Sequence, residues 1–234
     1  VEIAGVKLLP GDAAEIAAPP FADAVARARA RGLAVAVHAV EADAVDAAID
    51  VLATAPPCAG VRGGPDRIEH ASLCPPELAR RLAAHGLAVV TQPGFLFARG
   101  DKYREEVEPV LWPWLYPLRS LLAAGVLVVG SSDAPIATAD PRVAIAAAIE
   151  RASAAGSVLG EGERLDEAAA VALYTSAPRA LRGAPARGWL DVGGRADLQV
   201  LDRDPRGRWR DTAVLAAVVA GASHGAHVAC AISR

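Results

Sequence analysis

Methionine is absent from these 234 residues, and the chain starts on Val1. Both facts read as marks of a fragment, or of a sequence from which methionines have been lost, so local motifs carry more weight than loop lengths. Cysteine is scarce. Cys58, Cys74 and Cys230 are odd in number and far apart, which argues against a disulfide framework and favours a reducing, cytoplasmic compartment. Long apolar runs are missing too: the longest, Leu121 to Val129, falls well short of the ~20 residues a membrane helix needs, and no basic and apolar leader opens the chain. Neither sign of charge dominates. With 24 Lys+Arg against 27 Asp+Glu, the net charge of −3 is too balanced for a nucleic-acid-binding surface or a disordered tail. What is present is a hydrophobic fraction of 53%, ample for a core. At roughly 150 residues per domain the length suits one large domain, or one and a half small ones.

Helix and strand patterns alternate through the first part of the chain. Pro19 and Pro20 open a helix that Gly32 ends. The unbroken apolar run from Leu33 to Val37 then delivers His38. Ala42 to Thr54 has helical spacing at Val45, Ala48, Ile49 and Leu52. After a Pro/Gly-rich loop come a short strand, Arg67 to His70, a helix from Pro76 to His85 stopped by Gly86, and a strand from Leu87 to Thr91. Leu115 to Ala124 reads as a helix stopped by Gly125, and Val126 to Gly130 as a strand leading into Ser131, Ser132 and Asp133. The opening segment, Glu2 to Leu8, adds one more strand. Short, continuous apolar strands alternating with helices predict buried parallel strands, about five β/α units, in a doubly wound sheet or a (β/α)8 barrel. The last third changes character. A helix capped by Asp166 runs to about Ser176, the run from Gly188 to Asp202 reads as a turn entering a strand, and further short strands are expected at Val214 to Val219 and Val228 to Ile232. This divides the chain into residues 1–183 and 184–234.

In a parallel α/β fold, reactive groups collect at the carboxyl ends of strands. His38, His70, Gln92 and Asp133 each follow a strand-like run and precede a loop. Imidazole and carboxylate together suit Zn²⁺ or a similar ion. Singly, a strand-end histidine is more often a satisfied hydrogen-bonding residue, and Asp133 could be a turn former. The joint pattern favours a shared site.

These motifs resemble the amidohydrolase superfamily, in its amidohydrolase-3 branch. The matching stretches are Val37-His38-Ala-Val, Arg67-Ile-Glu-His70-Ala, Tyr116-Pro-Leu-Arg119, Gly130-Ser-Ser-Asp133-Ala-Pro135 and Gly188 to Pro205, in the family's order over about residues 33–205. The resemblance implies part of a (β/α)8 TIM barrel, about strands four to eight, followed by strands of a small β-sandwich. It implies a divalent metal, zinc foremost, as one or two ions held by His38, His70 and Asp133, with Lys7 as a bridging ligand if carboxylated. It makes Asp133 the catalytic proton carrier and predicts hydrolysis of carbon–nitrogen bonds, of the non-peptide amide type, in a small-molecule substrate. A homo-oligomer is left open. Glu41 and the residues after Lys7 depart from the family pattern. The family's His-x-His pair is not found, so the sequence is expected to be the C-terminal part of a longer polypeptide or to fold with another chain. The alternative is a truncated or degenerate, non-catalytic module. A nucleotide-binding reading fails because no glycine-rich phosphate loop follows any strand.

Six of the ten aromatic residues lie between Phe95 and Tyr116. They are expected in a long loop after Gln92, with Gln92, Phe95, Trp112 and Trp114 lining the substrate site, unless the loop packs on its own core or on a partner subunit. Arg99, Lys102 and Arg104 could draw an anionic substrate or merely face solvent. His85 reads as a helix C-terminal residue, and His224 and His227 as parts of a surface turn.

Overall fold

The computed structural model describes residues 3, 5–56, 64–183, 192 and 194–224. Cys58, Cys230, His227, the strand expected at 228–232 and most of residues 184–193 lie outside the described residues. The chain divides into two compact units, Val1–Ala186 and Arg187–Arg234. Among the described residues, no helix is long and apolar enough to cross a membrane.

The first unit runs β1 (Gly5–Leu8), α1 (Ala13–Ala17), α2 (Pro19–Arg29), β2 (Ala34–Ala39), α3 (Ala42–Thr54), β3 (Arg67–His70), α4 (Pro76–Ala84), β4 (Ala88–Thr91), α5 (Gly94–Glu106), a 3-10 helix (Pro109–Trp114), α6 (Leu118–Ala123), β5 (Val128–Gly130), α7 (Pro141–Glu150), α8 (Glu167–Ala172) and α9 (Ser176–Leu181). The five strands form one parallel sheet in the order β1-β2-β3-β4-β5. Consecutive parallel strands need crossovers, and the helices supply them. Three of these helices turn apolar stripes inward: Phe21, Val25 and Ala28 from α2, Val45, Ala48, Ile49 and Leu52 from α3, Leu78, Ala79 and Leu82 from α4.

Polar groups fasten the amino ends of the strands. The Arg29 guanidinium pairs with Asp66 at 2.5 Å and donates to the Leu52 and Ala55 carbonyls, and the Val35 N–H donates to the same aspartate. Pair and hydrogen bonds are buried together, the form in which a buried charge is tolerated. At the other end of the sheet, Gly130 leaves room for a ring: a Cβ there would lie 2.3 Å from Cζ of Tyr174.

Two expectations changed in the structure. The aromatic segment expected as a long loop is instead α5, with thirteen residues, followed by the 3-10 helix. The helix expected from Asp166 to Ser176 is two short helices, because Pro178, in the first turn of α9, offers no N–H to the chain before it. Asp166 does cap α8, accepting from the Ala169 N–H at 2.7 Å. The second unit holds β6 (Leu198–Leu201), β7 (Val214–Val219) and β8 (Ala222–His224) as an antiparallel sheet in that order. His224, expected in a turn, lies in β8.

Candidate active site

Because all five strands are parallel, their carboxyl ends share one rim. Register decides which side chains meet there. Lys7 pairs with Ala36, His38 with Glu69, and Ala36 with Arg67. Paired residues of a parallel ladder point to the same face, so Lys7, His38, Arg67 and Glu69 share one face, while Val35, Val37, Ile68 and Val89 line the other beneath the helices. Arg67 and Glu69 form an ion pair at 2.7 Å on the polar face.

Strict alternation would send His70 to the helix side with Ile68. Instead the backbone turns left-handed at His70 (φ 82°) and Ala71 (φ 46°), which ends the strand. Such values are costly for residues with a Cβ and persist where neighbours fix them. Here the Ala71 N–H donates to Ala39, the Leu73 N–H to Val40, and the Tyr116 N–H to Ser72 at 2.7 Å. The two imidazoles consequently meet edge to face, with ring centroids 4.5 Å apart. Nδ1 of His70 lies 2.8 Å from Oε1 of Gln92. An amide oxygen only accepts, so Nδ1 carries a proton, and in the neutral ring this leaves the lone pair on Nε2.

Burial, and after it the charges of His70 and Lys7, hold the His38 imidazole below its ordinary value of 6.5, against the opposing pull of Asp133 and Glu69. His38 is therefore neutral at pH 7, the form that donates a lone pair. His70 meets the His38 ring, Glu69 pairs with His38 in register, and Lys7 shares their face of the sheet. Asp133 lies just past β5 on a left-handed backbone (φ 51°), with its carbonyl accepting from Ile136 and the Ser131 N–H bound to Thr91. A cleft of about 400 Å³ opens past the end of β5, lined by Gly130, Ser131, Ser132, Asp140 and Tyr174.

A metal ion fits this arrangement in part. Two imidazole rings converge, and one of them is oriented by an amide, as metal-bound histidines are. Among the described residues, however, no three His, Cys, Asp or Glu side chains gather closely enough to hold an ion among themselves. Asp133 and Lys7 act on His38 through charge without completing such a group.

The aromatic residues are placed unevenly. Phe95 is buried in a cluster with Leu96, Leu115, Tyr116 and Leu159, and Trp112 packs against that cluster while its indole N–H donates to Val107. Trp114 is half-buried, and its carbonyl accepts from the Cys74 N–H. Glu69, facing His38 in register, escaped the sequence reading although it directly precedes His70. The hydroxyl pair of Tyr103 and Tyr116, 2.9 Å apart, also escaped it.

A family model described as "Amidohydrolase family" matches residues 7–228. The chain belongs to the amidohydrolase family. It is similar to an N-substituted formamide deformylase of Arthrobacter pascens, 32% identical over an alignment of 210 residues that covers 85% of this chain and 38% of the relative. Among solved structures it is similar to an uncharacterized metal-dependent hydrolase of Pyrococcus horikoshii OT3, with 27% identity and a TM-score of 0.69 over 89% of this chain and 46% of that one. A metal-dependent hydrolase of Pyrococcus furiosus gives 28% identity and a TM-score of 0.62 over 80% of this chain and 39% of that one. The chain thus spans less than half the length of each of these amidohydrolase relatives. Its five parallel strands are a consecutive arc of a (β/α)8 barrel, and the second unit adds a small antiparallel sheet of three strands.

Proposed function

We propose that this chain carries part of the reaction centre of a hydrolase that cleaves carbon–nitrogen bonds of the non-peptide amide type in a small-molecule substrate. The observation that carries this reading is the pair of imidazoles on one rim, His38 neutral and His70 with its Nδ1–H committed to Gln92. In this reading His38, His70 and Asp133 would hold a divalent metal, zinc foremost as an ion that suits imidazole and carboxylate donors, as one or two ions, with Lys7 as a further ligand. Bound there, the metal supplies Lewis acidity toward water and the substrate carbonyl. Gln92 keeps His70 in the tautomer that presents Nε2. Asp133 accepts the proton of the attacking water and passes it to the leaving nitrogen. The 3-10 helix with Trp112 and Trp114 backs the apolar wall of the substrate site, with Phe95 beneath it. A reducing, cytoplasmic setting is in keeping with Cys74 as a free, buried thiol.

The Asp133→Asn protein, assayed on an N-substituted formamide, should retain its metal and lose turnover by about 10²- to 10⁴-fold. Activity near that of the wild type would exclude the role. His38→Ala or His70→Ala should instead lower metal content. A second reading, a non-catalytic amidohydrolase-like module, is favoured by the lack of a three-residue ligand group among the described residues. Elemental analysis separates the two, since the hydrolase should purify with about one or two equivalents of metal and the module with none.

A further inference from the structure

The three basic residues of α5 have different surroundings. Lys102 pairs with Glu106 at 3.4 Å, and Arg104 stacks on Trp112 at 5.1 Å. Arg99 is exposed and lies over the Phe95 ring at 5.1 Å, with no carboxylate in salt-bridge reach among the described residues. Stacking occupies the flat face of a guanidinium and leaves its N–H fork open at the edge. Arg99 is also not isolated on the surface. Arg99 and Tyr103 stand four residues apart on one face of α5, and the Tyr103 and Tyr116 hydroxyls are 2.9 Å apart. Burial raises both phenols above their ordinary value, so both remain donors across the neutral range. The carboxylates that act on Tyr103 are Glu41 and Glu106, and Glu106 is already paired with Lys102.

This group is connected to the two imidazoles by short covalent and hydrogen-bonded steps. The Phe95 N–H donates to the carbonyl of Gln92, whose side chain holds His70. The Tyr116 N–H donates to Ser72, two residues past His70, and Glu41 stands three residues past His38. We infer that Arg99, with the Tyr103 hydroxyl, forms an anion-reading corner of the substrate site and selects substrates that bear a carboxylate. The inference rests on the hydrolase reading for its location, and Arg99 acts in it as a specificity-determining residue. The carboxylate would take the open guanidinium fork as two parallel charge-assisted hydrogen bonds.

Calorimetric titration of the chain with N-acetyl-L-phenylalanine and with its neutral counterpart, N-acetyl-L-phenylalaninamide, reads the preference without requiring turnover. The carboxylate should bind about tenfold more tightly, as expected for a hydrogen-bonded charge. Arg99→Ala should abolish that preference and leave affinity for the amide unchanged. Arg99→Lys should keep part of it, since a point charge remains without the fork. Tyr103→Phe should reduce it by a few fold. Equal affinity for the two probes, including binding of neither, overturns the inference, as does a preference that survives Arg99→Ala. Failure of the hydrolase reading looks different. A protein that prefers the carboxylate but cleaves neither probe nor an N-substituted formamide keeps the anion corner and loses the proposed reaction. A protein that cleaves the formamide with no carboxylate preference does the reverse.

Discussion

At His70 the backbone and the side chain are held by different neighbours. Three main-chain hydrogen bonds keep the left-handed turn after it, and Gln92 keeps the ring. Gln92 is 2% exposed, so its amide cannot exchange His70 for water at low cost. The Gln92→Leu protein keeps the volume and loses the acceptor. Its affinity for added Zn²⁺ should fall by about 10- to 100-fold in competition with a chelating dye, the usual effect of losing the partner that orients a ligand. Unchanged affinity would show that the amide does not set the ring. Cys74 is a contrasting case. Burial, with a contribution from Glu77, pushes its thiol up to about 12, so at pH 8 it is almost wholly protonated. In a Cys58→Ser, Cys230→Ser background, native protein should react with a disulfide reagent many times more slowly than protein in denaturant. Fast reaction of the native thiol would contradict its buried, protonated state.

Helices and strands differed in how readily they could be read. The helix Ala42–Thr54 and the strand Arg67–His70 appear where spacing and apolar runs predict them, because each buries its own periodic face. The placing of His38, His70, Gln92 and Asp133 at or just past strand ends was legible for the same reason, since each follows a strand-like run. The helix α5 was hidden. Gly94 and Gly100 look like breakers, yet a Cβ at Gly100 would press on Ser153 at 2.9 Å and Leu159 at 3.0 Å. The glycine marks a close approach, and tertiary packing overrides its low helix propensity. Arg151 was equally silent. It is fully buried at the carboxyl end of α7 and donates to the carbonyls of Leu159, Tyr116 and Leu115 at 2.7, 2.9 and 2.6 Å, so it ties the aromatic segment to the segment after α7. Its partners are 8 to 36 residues away and are all backbone, which no local pattern can announce. Arg151→Met strands three buried acceptors and should cost roughly 3 kcal/mol or more in urea unfolding, with Arg151→Lys recovering part. A loss below about 1 kcal/mol would mean that water replaces the guanidinium.

Across the whole molecule, the sheet order leaves β1 and β5 at the edges, neither with a second partner strand among the described residues. Unpaired strand edges invite association. In the second unit, Leu215 and Val219 are about half exposed as well. Residues 1–234 expressed alone should therefore sediment as a concentration-dependent mixture. A single species unchanged over a hundredfold dilution would show that the edges are shielded. The Arg29–Asp66 fastening has a longer reach. It lies at the amino ends of the strands, the full length of the sheet from the rim that bears His38 and His70. Robustness and selectivity are therefore inherited separately here. A laboratory evolution toward a new substrate would collect its changes around the rim loops, and the arginine–aspartate couple would come through untouched.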